Sequence, residues 1–498
     1  MFENLTFNIL NSVNPSSSGG MNDKEFLERE ISAWKYSPER LMQIKGRLYF
    51  EGQHDILTRK RTIIGEGGEI TEVENLPNNR IVDNQYGKLV LQKANYILGQ
   101  PFVIEGDNGQ YIELLKQVFD KRFMRILKNA GKAALNGGLA WLYPYFDEEG
   151  KLRFRLFPAY EVLPFWRDSE HTVLDCAVRA YLVQGYEGTT PVLIEKAEVY
   201  GIDGVHRFIL ENGSLIPDTS VNEAADMPYV ILGDKAEKKA FNWDKIPLIP
   251  IKYNENETPL LKRVKTLQDG INVMLSDFEN NLQEDARNTI LVLKNYDGTD
   301  LGEFRRNLAT YGAVKVRCDG DNGGGVETLE INVNAENYKA ILEIFKKALI
   351  ENGMGFDAKD DRLSGNPNQM NIQSMYSDID LDANDMETEL QAAFEDILWF
   401  VNVYLGCVGK GDFEGENVNV IFNRDMLMNE TEAIANCKAS MGILSDETII
   451  GQHPWVDDPQ QEIERLKRQM EEEHEGFEQQ QGYNPFEQKD KGGVNEEQ

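Results

Sequence analysis

Cysteine and histidine are scarce in this chain. Cys176, Cys318, Cys407 and Cys437 are its four cysteines, and five histidines are spread over 498 residues. No CxxC pair occurs and no histidines stand at ligand spacing, which argues against a zinc centre or a disulfide framework. GxxxxGK[ST], GxSxG and HExxH are all missing, so no nucleotide, nucleophile-elbow or zincin chemistry is indicated and no cofactor or metal is expected. Long apolar runs are missing too. The longest, Ile397 to Val408, is far short of the ~20 residues of a membrane span. It follows Glu395 and Asp396 and reads as a buried helix end, so no membrane partner is expected. The N-terminus has no basic region leading into an apolar run, so no signal peptide is expected, and assembly in a cytoplasm is. Positive charge is in deficit: 52 Lys and Arg face 84 Asp and Glu, a net charge of −32. Tight binding of nucleic acid runs on neutralised phosphates and is disfavoured. A protein that surrounds nucleic acid and lets it slide is not. Solubility alone also accounts for such a charge.

What is present is a mostly folded chain, with 41% hydrophobic residues. Residues 1–20 end in Ser-Ser-Ser-Gly-Gly and read as a flexible arm; Met21 is a second candidate start. Helices are expected at 22–35 and 38–51, then a Gly- and Glu-rich loop over 61–79. Ile81–Leu98 reads as a helix closed by Gly99 with Pro101 beyond, and another helix covers about 110–135. The pattern then switches to period two. Leu139–Phe146 and Lys151–Phe157 flank the turn 147–150, and further strands fall near 173–184, 193–200 and 205–210. Residues 81–256 therefore read as helices on an antiparallel sheet. The fold class is α+β, mainly helical.

At Thr258, a candidate N-cap before Pro259, an amphipathic helix of about 25 residues begins, with Leu260, Leu261, Val264, Leu267, Ile271, Met274, Leu275, Phe278 and Leu282 on its apolar stripe. A small β-α-β head follows: strand 289–293, short helix 300–309, and strands 313–318 and 326–333 joined by a Gly-rich link. Asn334 is placed to cap a second amphipathic helix, with Tyr338, Ile341, Leu342, Phe345 and Leu349 on one face and Gly353 as its stop. The loop from Gly353 to Asn371 then runs into one apolar-periodic segment from Ile372 to Leu405, a helix of roughly 50 Å. Long polar loops inside folded chains are usually functional. Helices near 429–441, 446–451 and 458–474 close the folded part, and an acidic disordered tail covers 475–498.

Few residues carry readable chemistry. Asp378, Asp380, Asp382 and Glu389 match positions 1, 3, 5 and 12 of a calcium loop, while on a helix Asp378, Asp382, Asp385 and Glu389 share one side. Ala383 stands at the obligatory glycine, and the apolar helical period continues through Ile379, Met386 and Leu390. A solvated acidic stripe on one helix side is the reading. Lys339, Lys346 and Lys347 of the second amphipathic helix are candidate phosphate contacts, and Arg305 and Arg306 of the head are candidates for a protein partner. For each of them a solvated face is the plain alternative.

Several stretches resemble the portal proteins of tailed double-stranded-DNA bacteriophages, siphophage type. Tyr49-Phe-Glu-Gly-Gln-His-Asp-Ile56 is similar to an early motif of that family, and Tyr96-Ile-Leu-Gly-Gln-Pro101 to a helix end. Ile246–Asn254 leading into Leu261–Asp277 resembles the lead-in and first stem helix. Gly442–Thr448 with Pro454–Asp458 resembles the C-terminal crown. The likeness covers roughly residues 25–470. One departure is Asn368–Asn371, where family members often carry a Ser-Gly-x-Ala step.

The resemblance implies a wing (21–256), a first stem helix (257–288), a clip (289–333), a second stem helix (334–352), a tunnel loop (353–371), a long spine helix with a return strand of the wing (372–425) and a helical crown (426–474). It also implies a non-enzymatic homo-oligomer, about twelve copies, at a capsid vertex. Double-stranded DNA would pass through its channel on packaging and ejection. Its implied partners are the packaging ATPase (terminase), a head-tail connector, and major capsid and scaffolding proteins. Lys359, Arg362, Asn366, Asn368 and Gln369 would face DNA from the tunnel loop. A dozen helices packed 8–10 Å apart enclose a circle of about 34 Å between axes. Removing one helix diameter leaves a bore of about 24 Å, and a duplex of about 20 Å fits. An acidic wall, screened beyond about 8–10 Å, would keep that duplex centred and mobile. Two other readings stay open on the residues alone. One is a metal-dependent nuclease or other phosphate-processing enzyme built from the surplus carboxylates; the other is a generic virion scaffold or adaptor.

Overall fold

Small polar caps set the helix boundaries. The structure, a computed structural model, describes residues 24–64, 68–72, 76–219, 225–232, 239–285, 290–294, 302, 325–329, 335–358, 369–424, 430–456 and 459–481. Helices α1 (Lys24–Lys35) and α2 (Pro38–Phe50) are parted by Ser37, whose hydroxyl oxygen accepts the Arg40 N–H at 3.2 Å. Pro38 takes the first helical position, where no N–H is needed. Strands β1 (Thr62–Ile64) and β2 (Ile70–Glu72) pair antiparallel, so part of the loop expected over 61–79 is a β-branched hairpin. Helix α3 (Gln85–Leu98) begins four residues later than expected because Asn84 caps it, accepting the Gly87 N–H at 2.7 Å. After β3 (Val103–Gly106), the single helix expected over 110–135 is two, α4 (Gly109–Val118) and α5 (Lys121–Gly137). Asp120 makes the break, its carboxylate accepting the N–H groups of Arg122 and Phe123, both at 2.9 Å. Gly138 ends α5 at φ +82°, and a side chain there would meet the Glu257 carbonyl.

Strands β4 (Leu139–Phe146) and β5 (Leu152–Pro158) form the expected hairpin. They share a three-stranded sheet with β14 (Ile249–Lys252), in the order β14-β4-β5. A larger antiparallel sheet runs β10 (Ser214–Pro217), β9 (Gly204–Glu211), β8 (Thr190–Gly201), β7 (Leu174–Glu187), β6 (Val162–Trp166), and β11 (Asp226–Met227) also pairs with β9. Leu27 and Ile31 of α1 pack with Val178, Ala197 and Val199 of that sheet. The alternation pattern does not reveal β6, β10 or β14. Each contains a proline (Pro164, Pro217, Pro250) and each lies at a sheet edge, where a missing N–H is tolerated. Strands β12 (Val230–Leu232) and β13 (Lys239–Phe241) form a further short pair.

Helices α6 (Leu261–Asp285) and α7 (Ala335–Asn352) bracket β15 (Ile290–Lys294) and β16 (Gly325–Leu329), which pair antiparallel. Apart from residue 302, the rest of the expected head, with Arg305 and Arg306, lies outside the described residues, as do Asn334 and the loop residues Lys359, Arg362, Asn366 and Asn368. The long helix α8 spans Gln369–Cys407, about 58 Å at the standard rise. Its Leu390, Phe394, Ile397, Val401 and Leu405 enter the main core, where Phe394 and Phe102 lie 5.0 Å apart, centroid to centroid. Strand β17 (Val418–Ile421) then pairs antiparallel with β3.

By contact density the chain divides into two units, Met1–Asp357 with Asp378–Asp425, and Ala358–Ser377 with Met426–Gln498. The second holds α9 (Glu430–Ala439), α10 (Asp446–Gly451) and α11 (Pro459–Gln481). Helix α11 continues to Gln481, past the start expected for the acidic tail. The chain is thus mixed helix and sheet, about half helical.

Candidate functional site

The expected channel helices form a hairpin whose close approach needs Gly270. A side chain at that position of α6 would strike the Phe345 ring of α7. Phe278 and Tyr338 pack at 5.1 Å between centroids, and Asn281 donates to the Tyr338 hydroxyl at 3.2 Å. The three lysines of α7 differ in surroundings. Lys346 reaches inward to Asp83 at 2.7 Å. Lys339 and Lys347 remain 79% and 70% exposed, each with only a glutamate one turn on at 3.9 Å, so they are the two available to a polyanion. Val273, Leu282, Ile341 and Ile344 are also exposed on this hairpin.

Thr258 does not cap α6. Its hydroxyl donates to the Asn256 carbonyl at 3.3 Å, and the helix start is instead tied to α5 by the Leu260 N–H on the Leu135 carbonyl at 3.0 Å. The most buried side chains of α6 include polar ones that the apolar reading passes over. Gln268, Asn272 and Ser276 are fully buried and Asn280 nearly so, one turn apart along the helix. They face the non-helical backbone at 79–83 and the first turn of α3. Asn280 Oδ1 accepts the Asn79 N–H at 2.7 Å, Ser276 Oγ the Ile81 N–H at 2.9 Å, Asn272 Oδ1 the Asp83 N–H at 3.0 Å, and Gln268 Oε1 the Tyr86 N–H at 2.8 Å. Four helical residues rise about 6.0 Å, and two extended residues rise about 6.6 Å. Steps of four along the helix therefore match steps of two along the chain at Asn79, Ile81 and Asp83, and Gln268 then takes the Tyr86 N–H in the first turn of α3. The side-chain ladder replaces a β-ladder and satisfies amides that would otherwise be dry.

The ladder is fastened at one side by the α2 end. His54, 2% exposed, stacks on Tyr49 at 4.3 Å and contacts Asn272 Nδ2 through Nδ1 at 2.7 Å. Lys265 bridges Asp55 and Asp269 at 2.8 and 2.6 Å. Burial would raise the Asp55 carboxyl, but Lys265 and Lys45 outweigh it and hold it at about 2.

A charged knot joins α3 and the start of α6 to α8. The expected acidic stripe is not all solvated: Asp382 is buried. It takes Lys93 at 2.6 Å, Arg263 at 3.0 Å and the Tyr253 hydroxyl at 2.7 Å. Burial pulls the Lys93 ammonium down, and Asp382 pulls it back up in part. Nearby, Arg424 spans Asp380 and Glu387 at 2.9 and 2.7 Å. Asp382 is buried because three donors from other elements converge on its carboxylate, which offsets its desolvation. Among the described residues, no group of three or more His, Cys, Asp or Glu is placed to hold a metal ion. No described helix is long and apolar enough to cross a membrane. At the far end of the expected tunnel loop, the Gln369 N–H donates to Glu432 at 3.0 Å, so its backbone is engaged within the second unit.

The described residues give an α+β body with a helical hairpin, a strand pair between its two helices and a long following helix. The model of the phage portal protein family, SPP1 Gp6-like, matches residues 35–476, and the chain belongs to that family. Its function is that of a portal protein, in a family of structural virion components. Among its relatives is the portal protein of Bacillus phage SPP1, 29% identical over 439 residues, 88% of this chain and 84% of the relative. The portal protein of Clostridium phage phiCD119 is 26% identical over 459 residues, 88% of this chain and 93% of the relative. Among solved structures, the neck of a native GTA particle computed with C12 symmetry gives a TM-score of 0.37 at 13% identity, over 73% of this chain and 88% of that one. The neck of an empty GTA particle computed with C6 symmetry gives 0.41 at 10% identity, over 74% and 88%.

Proposed function

We propose that copies of this chain close into a ring, about twelve by family likeness, around a channel for double-stranded DNA at one capsid vertex. In this reading residues 21–256 with 372–425 are the wing and spine, 257–288 and 334–352 the stem, 289–333 the clip, 353–371 the tunnel loop and 426–474 the crown. The observation that carries it is the family match over 35–476. The exposed apolar positions of the hairpin, Leu282, Ile341 and Ile344 among them, support it, because neighbouring copies would cover them. The net charge of −32 suits a wall that repels DNA and lets it slide. Lys339 and Lys347 supply weak, sequence-blind contacts to phosphate; Lys346, engaged with Asp83, is the weaker candidate. Arg305 and Arg306 of the clip dock the packaging ATPase and later the head-tail connector. Lys359, Arg362, Asn366, Asn368 and Gln369 meet DNA from the tunnel loop. Capsid and scaffolding proteins contact the outer surface.

Native mass measurement tests the ring, and a DNase-protection packaging assay tests the channel. Rings of about a dozen copies are expected from the unmodified chain. Ile344→Glu places a charge in the proposed inter-copy seam and abolishes them. Lys339→Ala with Lys347→Ala leaves rings and stability intact, within about 0.5 kcal/mol for exposed sites, and lowers the DNA retained. A monomer at micromolar concentration, or unchanged retention in the double variant, overturns the corresponding half.

A further inference from the structure

The chain leaving α7 is held by two neighbouring side chains of α3, Lys93 and Gln92. Met354 sits at φ 52°, a left-handed conformation that a side chain other than glycine's adopts only under constraint. Its carbonyl accepts from Lys93 Nζ at 2.8 Å. The same ammonium, on a side chain 3% exposed, holds Asp382 of α8 at 2.6 Å. Gln92, its neighbour on α3, grips the next step of the exit: its Nε2 donates to the Phe356 carbonyl at 2.6 Å and its Oε1 accepts the Phe356 N–H at 3.0 Å. Leu89, one turn earlier, packs against the bare faces of Gly353 and Gly355.

A lysine ammonium is all donor, and the two acceptors named here come from different elements. Buried ion pairs add little net stability, and well-packed apolar replacements are often as stable or more so. The use of this one therefore lies in geometry. We propose that Lys93 is a positioning residue for the channel. Its ammonium welds the exit of the second stem helix to the long helix, and so fixes where the following loop starts. The channel part of this inference rests on the portal reading. The weld itself does not.

Three proteins test it: the unmodified chain, Lys93→Met, and Lys93→Met combined with Asp382→Asn. The single change leaves the buried Asp382 carboxylate with Arg263 and the Tyr253 hydroxyl but without its buried ammonium, and lowers the thermal midpoint. The double change removes that charge, leaves an acceptor for the Tyr253 hydroxyl, and restores the midpoint. In both variants the Phe356 amide exchanges with deuterium roughly tenfold faster, as a locally opened segment does, while rings still form and packaged DNA falls. If the double variant recovers Phe356 protection and packaging along with its midpoint, Lys93 serves only to neutralise Asp382 and the positioning role is wrong. Should the single variant not fold, the double variant decides alone. Should the unmodified chain form no rings, the portal reading fails while the exchange result still decides the weld.

Discussion

Helices α8 and α6 are both long and amphipathic and both bury apolar side chains, Leu261, Val264 and Ile271 among those of α6, but α6 also buries a polar series. In α8 the buried positions include Ile379, Met386, Leu390, Phe394 and Ile397. In α6 they include Gln268, Asn272, Ser276 and Asn280, while Leu282, on the apolar stripe, is 47% exposed. The difference lies in what faces each helix. Helix α8 meets the rings of Phe102, Phe119, Phe123 and Phe422. One face of α6 meets backbone, whose N–H groups bond to Asn280, Ser276, Asn272 and Gln268 in turn. Burial selects whatever the partner surface needs, and exposed main chain needs acceptors.

The strongest way to break the apolar half is Phe394→Ala. Phe394 is 1% exposed and touches four other phenylalanines. A loss of about 3–5 kcal/mol is expected, read as a fall in the urea midpoint. The polar half is broken by Asn272→Leu. On a hydrophobicity argument that change adds apolar area at a fully buried site and should stabilise. On the ladder argument it leaves the Asp83 N–H and the His54 ring nitrogen dry, at ~1–3 kcal/mol for each unsatisfied group, and a net loss of roughly 2–3 kcal/mol is expected. A neutral or stabilising outcome would show that the ladder does not hold α6 in place.

The same contrast explains how much was legible in the sequence. Helix α8 and the β4–β5 hairpin were legible because side chains meet side chains there and periodicity reports burial directly. Edge strands β6, β10 and β14 were hidden by their prolines. The ladder was hidden because Gln, Asn and Ser count as polar and because the helix was read from Ile81 when it starts at Gln85; their recurrence at every fourth residue was the one signal the sequence offered. Asp382 looked solvated because its partners, Lys93, Tyr253 and Arg263, are distant in sequence. The apolar stripe on α7 was readable, and Leu349 is indeed buried. Which of its lysines stay free was not, since that depends on Asp83, more than 250 residues earlier. The family likeness was carried by short motifs, and the match over residues 35–476 agrees with it.

The smallest expected effect is one of pH, and it separates the ladder from the surface through two histidines of opposite sign. Burial lowers the His54 pKa, and the bonds to Tyr49 and Asn84 and the carboxylates of Asp269 and Asp55 do not make up the difference. Asn272 Oδ1 is already taken by the Asp83 N–H at 3.0 Å and by Gln268 Nε2 at 3.1 Å, so its Nδ2 must donate to His54 Nδ1. The other ring nitrogen then donates to the Tyr49 carbonyl at 3.0 Å. A second proton would set N–H against N–H. With its folded pKa depressed, His54 contributes stability that is present above the unfolded value of about 6.5 and lost as pH falls through the folded one. His206 behaves oppositely. Burial alone would lower its pKa, but Asp226 at 2.7 Å and Asp203 at 3.1 Å outweigh that and raise it. Its contribution is full below about 6.5 and lost as pH rises through the folded value. Between pH 7.5 and pH 5 the two partly cancel in the unmodified chain. His206→Ala removes the gain, so the urea midpoint should fall more steeply on acidification. His54→Leu removes the loss, so the midpoint should start lower at pH 7.5 and fall less. Equal slopes in all three proteins would mean that neither histidine is coupled to folding, and that Asn272 does not depend on the neutral ring.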